Sequence, residues 1–250
     1  LRRSITTRSR NRCKNERHRL LLTMWLHNKV DKMKLKVIYE DNHLLVVDKP
    51  INVPMQLDSS NDLDLLTMCK DYLKEKYNKP GNVYCALLHR LDRPVSGVCI
   101  FAKTSKAASR LSSDIQAHKF KKEYLAVVYD NGLEDEGIFE DKLLKDEKTN
   151  MVKVDKRGKD AKLDYQVLKR KDNLALVRIN LHTGRSHQIR VQFSSRNHPL
   201  WGDQRYNKDA KVGQQIALHS YRLTITHPVT KEKMTFVCDT DRVPFKEVKQ

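Results

Sequence analysis

The sequence predicts an α+β fold: a mixed, mainly antiparallel sheet with flanking helices. Two observations carry this. Short β-prone runs bounded by turn-forming residues recur along most of the chain. Only three or so segments show the apolar spacing of an amphipathic helix, and they do not alternate strictly with the strands. There is no internal repeat, heptad array or low-complexity tract.

Taken in order, Val37-Ile38-Tyr39 and Leu44-Leu45-Val46-Val47 read as a hairpin turning at Glu40-Asp41-Asn42-His43, and Lys49-Pro50 stops its second strand. Asp62 to Tyr77 reads as a helix whose stripe holds Leu65, Leu66, Cys69, Tyr72 and Leu73. The runs Tyr84–Leu88 and Val98–Ala102 read as buried strands. Thr104 is a predicted N-cap for a helix to about Ala117, with Ala107, Leu111 and Ile115 inward. A strand over Lys122–Tyr129 follows, then a turn at Asn131-Gly132. Residues 134–160 are charge-rich, with weak strands near Gly137–Leu144 and Met151–Val154, and read as an exposed excursion. Lys162–Leu168 and Leu174–Leu181 form an alternating pair. Arg185 to about Ser195 reads as a helix with Ile189 and Phe193 inward. Leu218–Thr226 and Met234–Val237 are two further strands, broken at His227-Pro228.

A chain of 250 residues can bury one substantial core, which its 39% apolar content supports. No apolar run approaches the roughly 18 residues of a membrane helix, so no membrane association is expected. The five cysteines are scattered, without C-x-x-C or zinc-ligand spacing, which points to a reducing, cytoplasmic setting and no metal. The net charge of +18 points to a polyanionic partner. Residues 1–32 contribute ten Arg and Lys against Glu16 and Asp31, a net of +8, so the remainder carries +10 and is basic in its own right. That first segment lacks a packed-core pattern and reads as disordered: a basic arm, an Arg-rich targeting peptide or, ranked first, residues outside the natural protein, since Met33 opens a new pattern. Residues 33–250 then form the single folded domain.

The candidate site centres on Leu88-His89-Arg90-Leu91-Asp92-Arg93-Pro94-Val95-Ser96-Gly97. One acid stands between two arginines, and apolar runs on both sides deliver it to a loop. A carboxylate held by guanidinium groups stays ionised, which suits a nucleophile or electrostatic stabiliser better than a proton donor. The run resembles the H-R-L-D-R-x-T-S-G signature of the RluA-type pseudouridine synthases, with Val95 in the usual threonine place. Thr183-Gly184-Arg185-Ser186-His187-Gln188-Ile189-Arg190 resembles that family's T-G-R-x-H-Q-I-R. Lys122-Glu123-Tyr124-Leu125-Ala126 resembles its K-x-Y-x-A, and Pro199-Leu200-Trp201-Gly202-Asp203 with Tyr206 its P-L-x-G-D-x-x-Y. The four blocks occur in family order. Gln56-Leu57 replaces the family's more usual valine-histidine-proline run.

The resemblance implies the pseudouridine synthase catalytic fold, with a central basic cleft, and isomerisation of specific uridines in structured RNA, ribosomal or transfer. The reaction breaks the N1–C1′ bond, turns the base and rejoins it through C5, so no cofactor is expected. By resemblance Asp92 is the catalytic acid, Arg185 its ion-pair partner, and Tyr124 the residue over the uracil and the candidate base for the C5 proton. Lys49, His89, Arg90, Arg93, Lys122 and Arg190 are candidate RNA contacts. His187 and Gln188 read as structural, and His182 has no assigned role. A monomer is expected. The rival reading is a catalytically inactive RNA-binding module using the same cleft; against it stands a carboxylate that would repel phosphate.

Overall fold

The computed structural model describes residues 34–250; the expectations for residues 1–32 lie outside the described residues. The fold occupies Lys36–Gln250. It is built on one 11-stranded sheet of β1 (Lys36–Glu40), β2 (Leu44–Lys49), β3 (Ala86–Leu87), β4 (Ser96–Ala102), β5 (Lys121–Tyr129), β6 (Glu136–Lys145), β7 (Val152–Val154), β8 (Lys159–Lys171), β9 (Leu174–Leu181), β10 (Leu218–Thr226) and β11 (Lys233–Val237). Among the described residues four helices accompany it: α1 (Leu65–Lys76), α2 (Ser105–Gln116), α3 (Gln188–Ser194) and α4 (Phe245–Lys249). Strand order is β1-β2-β4-β10-β5-β9-β8-β6-β7, with β11 on β10 and β3 on β4. The β4–β10 pair is parallel and the other pairs are antiparallel, giving the predicted α+β class.

Local signals placed several elements correctly. The β1–β2 hairpin closes through Asp41, whose carboxylate accepts the backbone N–H of His43 and Leu44, both at 2.7 Å. Thr104 caps α2 by accepting the Ala107 N–H. The helix α1 begins three residues later than expected because Asp64 is its N-cap. Its Oδ1 accepts the Thr67 N–H at 3.0 Å and its Oδ2 the Thr67 hydroxyl at 2.7 Å, and a residue capping in this way has extended backbone. The run at Tyr84–Leu88 pairs only over Ala86–Leu87.

The charge-rich stretch 134–160 is not an excursion. Its strand β6 pairs with β8 from Glu136 to Leu143, with Phe139 and Leu143 buried. Phe139 meets Tyr165 and Phe193 at ring separations of 4.9 and 5.0 Å. Glu140 and Lys142 lie on the opposite, wet face, while Asp141 shares the inner face and accepts from Gln192 and Arg196, so charge density masked the alternation. The short helix α4 had no periodic signal; Phe245 and Val248 pack on Leu125, Val127 and Leu176.

The parallel pairing of β4 with β10 positions the site. It sets Ser96 opposite His219 and Gly97 opposite Ser220. At Gly97 φ is +111°, and an added Cβ would stand 2.2 Å from the Ser220 carbonyl oxygen, so no other residue fits. The loop entering β4 carries Asp92, and β10 pairs next with β5, which carries Tyr124. Among the described residues no helix is long and apolar enough to cross a membrane.

Candidate active site

Three interactions hold the Asp92 loop. The Val95 N–H closes a turn on the Asp92 carbonyl at 3.0 Å. The Ser96 hydroxyl pairs with His219 Nδ1 at 2.8 Å, and His219 Nε2 donates to the Cys238 carbonyl at 2.8 Å. A carbonyl only accepts, so the proton sits on Nε2 and Nδ1 accepts from Ser96. Lys49 is the third. Fully buried, it donates from Nζ to the carbonyls of Pro50, Arg93 and Val95 at 3.0, 2.9 and 2.7 Å. Burial pushes its pKa down to about 8. Lys49 is therefore not placed to touch RNA, contrary to the sequence expectation: its turn signal suggested a surface position, but the loop folds over it.

Asp92 lies at the cleft floor with its side chain 28% exposed. Its Oδ2 accepts from Arg190 Nη1 at 2.9 Å, while no described residue bonds to Oδ1. Arg190 also grips the buried Asp203 in a two-point bond, Nε to Oδ2 at 2.8 Å and Nη2 to Oδ1 at 2.7 Å, and lies over the Tyr206 ring. Burial works to lower the Arg190 pKa, but the bonds and charge of Asp203, helped by Asp92, outweigh it and raise the pKa. Arg190 is thus sequestered in a carboxylate network rather than presented to RNA.

The expected Arg185–Asp92 pair is not formed. Arg185 precedes α3 instead of beginning it, and its Nε donates to the Asp160 carbonyl at 2.8 Å. Gln188 takes the space where the helix was expected to start: its side chain joins Thr183, the Arg185 N–H, Lys162 and Gln192. The two flanking arginines do not hold Asp92 either. Arg93 turns away to the Asn52 carbonyl, Ser60 and Asp62 on the cleft rim. Arg90 is exposed at the cleft and bonds to no described residue.

Asp92, Tyr124, Arg185, His89, Arg90, Arg93, Lys122 and Arg190 line one cleft of about 850 Å³. Tyr124 is 6% exposed on β5; burial raises its pKa, Cys99 and Asp92 add to this, and the hydroxyl stays protonated near neutral pH. His89 accepts the Ile100 N–H on Nε2 at 3.2 Å, and burial, with Lys122 nearby, pushes its pKa down to about 4. It is therefore neutral, with its proton on Nδ1.

Sequence reasoning gave no site role to His187, which it read as structural, to Asp203, which it quoted only within a motif, or to Arg205. His187 sits in the left-handed region (φ 52°), its Nδ1 2.7 Å from the Tyr206 hydroxyl and its Nε2 3.8 Å from Asp92 Oδ2. Burial lowers its pKa against the pull of Asp92. Arg205 donates to the Asn150 carbonyl at 2.9 Å and lines the cleft with Lys145 from the β6–β7 hairpin. One signal was available: an arginine inside the apolar run Ile189–Phe193 needs a buried acid, and Asp203 is the acid in the next block. His182, without a role in sequence terms, bonds Asp164 on β8. Among the described residues no cluster of three or more His, Cys, Asp or Glu could hold a metal ion.

A carboxylate bonded by a buried arginine, together with a buried tyrosine, thus lines one cleft rich in basic side chains, an arrangement suited to a polyanionic ligand. Comparison with known proteins agrees. Residues 43–195 match the RNA pseudouridylate synthase family model. The chain is 35% identical over 215 residues to the Dual-specificity RNA pseudouridine synthase RluA of Haemophilus influenzae, covering 83% of this chain and 94% of that one. It is 33% identical to the Ribosomal large subunit pseudouridine synthase C of Buchnera aphidicola, over 80% of this chain but 65% of that protein's length. The solved structure of Human RNA Pseudouridylate Synthase Domain Containing 4 shares the fold, with a TM-score of 0.69 at 22% identity over 83% of this chain and 89% of that one. The chain belongs to the RNA pseudouridylate synthase family, among its RluA-type members.

Proposed function

We propose that this chain isomerises specific uridines of ribosomal or transfer RNA, with Asp92 as the catalytic carboxylate. One observation carries the assignment: Arg190 engages Oδ2 alone, leaving Oδ1 without a bond to any described residue on a side chain that lines a cleft large enough for a nucleotide taken out of its stack. Arg190, rather than Arg185, orients the acid. Tyr124 lies beside the base. Because its hydroxyl stays protonated, it accepts the C5 proton only in step with passing its own on. Arg90 and Arg185 are the RNA contacts of the cleft wall, and Arg93 contributes from the rim. The net charge of +18 supplies non-specific attraction to phosphate. The protein acts as a monomer in the cytoplasm, a setting that the free, buried Cys69, Cys85, Cys99 and Cys238 suit.

An inactive RNA clamp gains nothing from a carboxylate on the floor of a polyanion site. The test is tritium release from RNA labelled at uridine C5. Wild type releases tritium; Asp92→Asn binds RNA comparably and releases none. Sustained turnover by the variant would sink the assignment.

A further inference from the structure

On the cleft face of β5, Lys122 stands two residues from Tyr124, about 7 Å along the strand. Other cations lining the cleft are engaged: Arg190 by Asp203 and Asp92, Arg185 by the Asp160 carbonyl, and the exposed Arg205 by the Asn150 carbonyl. Lys122 is not. Its ammonium makes no hydrogen bond or ion pair with any described residue. It is half-buried, with its Nζ beside Gly184, where an added Cβ would stand 3.4 Å away in ordinary contact. The titratable and charged groups that line the cleft with it are neutral His89, protonated Tyr124, Asp92 and His187 beside Arg190, Arg185 and Arg90, with Asp58, Arg93, Lys145 and Arg205 also on the lining. Burial lowers the Lys122 pKa, and no carboxylate offsets it.

A half-buried ammonium without a partner is costly in the resting protein. It becomes useful when the reaction itself delivers the opposite charge, because a fixed cation needs no reorganisation as charge develops. Resting on the activity proposed above, we infer that Lys122 is the counter-ion for the uracil anion released when the base leaves the ribose. When C1′–N1 breaks, the bonding pair leaves with the base and spreads over N1, O2 and O4. The base carries that charge until C5 bonds to C1′; C5 then loses its proton and N1 gains one, so nothing is added overall. Lys122 is placed for the base rather than the backbone: it shares a strand face with the buried Tyr124, whereas the unengaged cation at the exposed wall is Arg90.

The experiment is single-turnover consumption of uridine and of 5-fluorouridine at one target site, under saturating enzyme, for wild type, Lys122→Met and Lys122→Arg. Lys122→Met should lose about 10²-fold on uridine, the size of effect seen when one charge-stabilising donor is removed. It should lose distinctly less on 5-fluorouridine, whose fluorine already stabilises the leaving anion. Lys122→Arg should keep most of the rate and hold it to higher pH than wild type, since a guanidinium retains its proton where a half-buried ammonium does not. Equal defects on the two substrates would overturn the assignment. So would a Lys122→Met rate that matches wild type at saturation while RNA affinity falls and its salt slope flattens by about one, the signature of a phosphate contact. A wild-type chain that converts no uridine sinks both readings, whereas these outcomes with an active wild type sink this one alone.

Discussion

Replacing Arg190 with methionine separates its two roles, which are holding Asp203 inside the protein and holding Asp92 in the cleft. Three charge-assisted bonds disappear, at 2.8, 2.7 and 2.9 Å. Two of them end on Asp203, whose side chain is fully buried, so the variant strands a carboxylate away from water. Breaking a buried pair from one side costs about 3–5 kcal/mol. The bond to Asp92 adds little to stability because that side chain is 28% exposed and screened by water. For a domain of this size the loss corresponds to a Tm lower by about 6–20 °C. Arg190→Met combined with Asp203→Asn removes the stranded charge and should recover part of that stability, without recovering activity, because Asp92 remains unheld. Thermal unfolding gives the first quantity and tritium release from C5-labelled RNA the second. If Arg190→Met unfolds within about 1 kcal/mol of wild type, or if the double variant regains turnover, the account of Arg190 as the anchor of both acids is wrong.

Two further outcomes follow from the same geometry. Tyr124→Phe keeps the ring and RNA binding but deletes the oxygen, so C5 proton release should slow by ~10²–10⁴-fold while bond cleavage slows far less; proton release at the wild-type rate would reduce Tyr124 to a packing residue. Lys49→Met leaves the carbonyls of Pro50, Arg93 and Val95 without their donor, which should cost roughly 2–5 kcal/mol and lower kcat more than it raises KM; an unchanged kcat, with stability reduced, would show that the Asp92 loop holds its shape without Lys49.

What the sequence made legible is local. The Asp41 turn and the Thr104 cap are decided by neighbours two or three residues away, and both were read correctly. The cleft-lining residues were legible as well, through motif order. What failed was pairing across distance. Lys49 sits beside a proline and looked like a surface turn, yet two of its partners are carbonyls 44 and 46 residues further on. Arg185 and Arg190 stand in one motif, and nothing in the spacing says which reaches an acid 98 residues upstream of Arg190. That depended on where α3 begins, and the left-handed His187 delays its start by three residues. Asp203 settled the choice, by making the interior tolerable for Arg190 and not for Arg185.

The parallel seam between β4 and β10 has a consequence for the order of assembly. Ser96 and His219 lie 123 residues apart, and Asp92 and Arg190 98 apart, so the site is closed by contacts that span about half the chain. Loop-closure entropy must be met before such contacts return anything, which makes them late and slow events in folding. During synthesis from the N-terminus, the nascent chain carries the Asp92 segment long before β10 exists to seat it. The basic strands already made can attract RNA, but the floor of the cleft is unfinished until β10 has emerged.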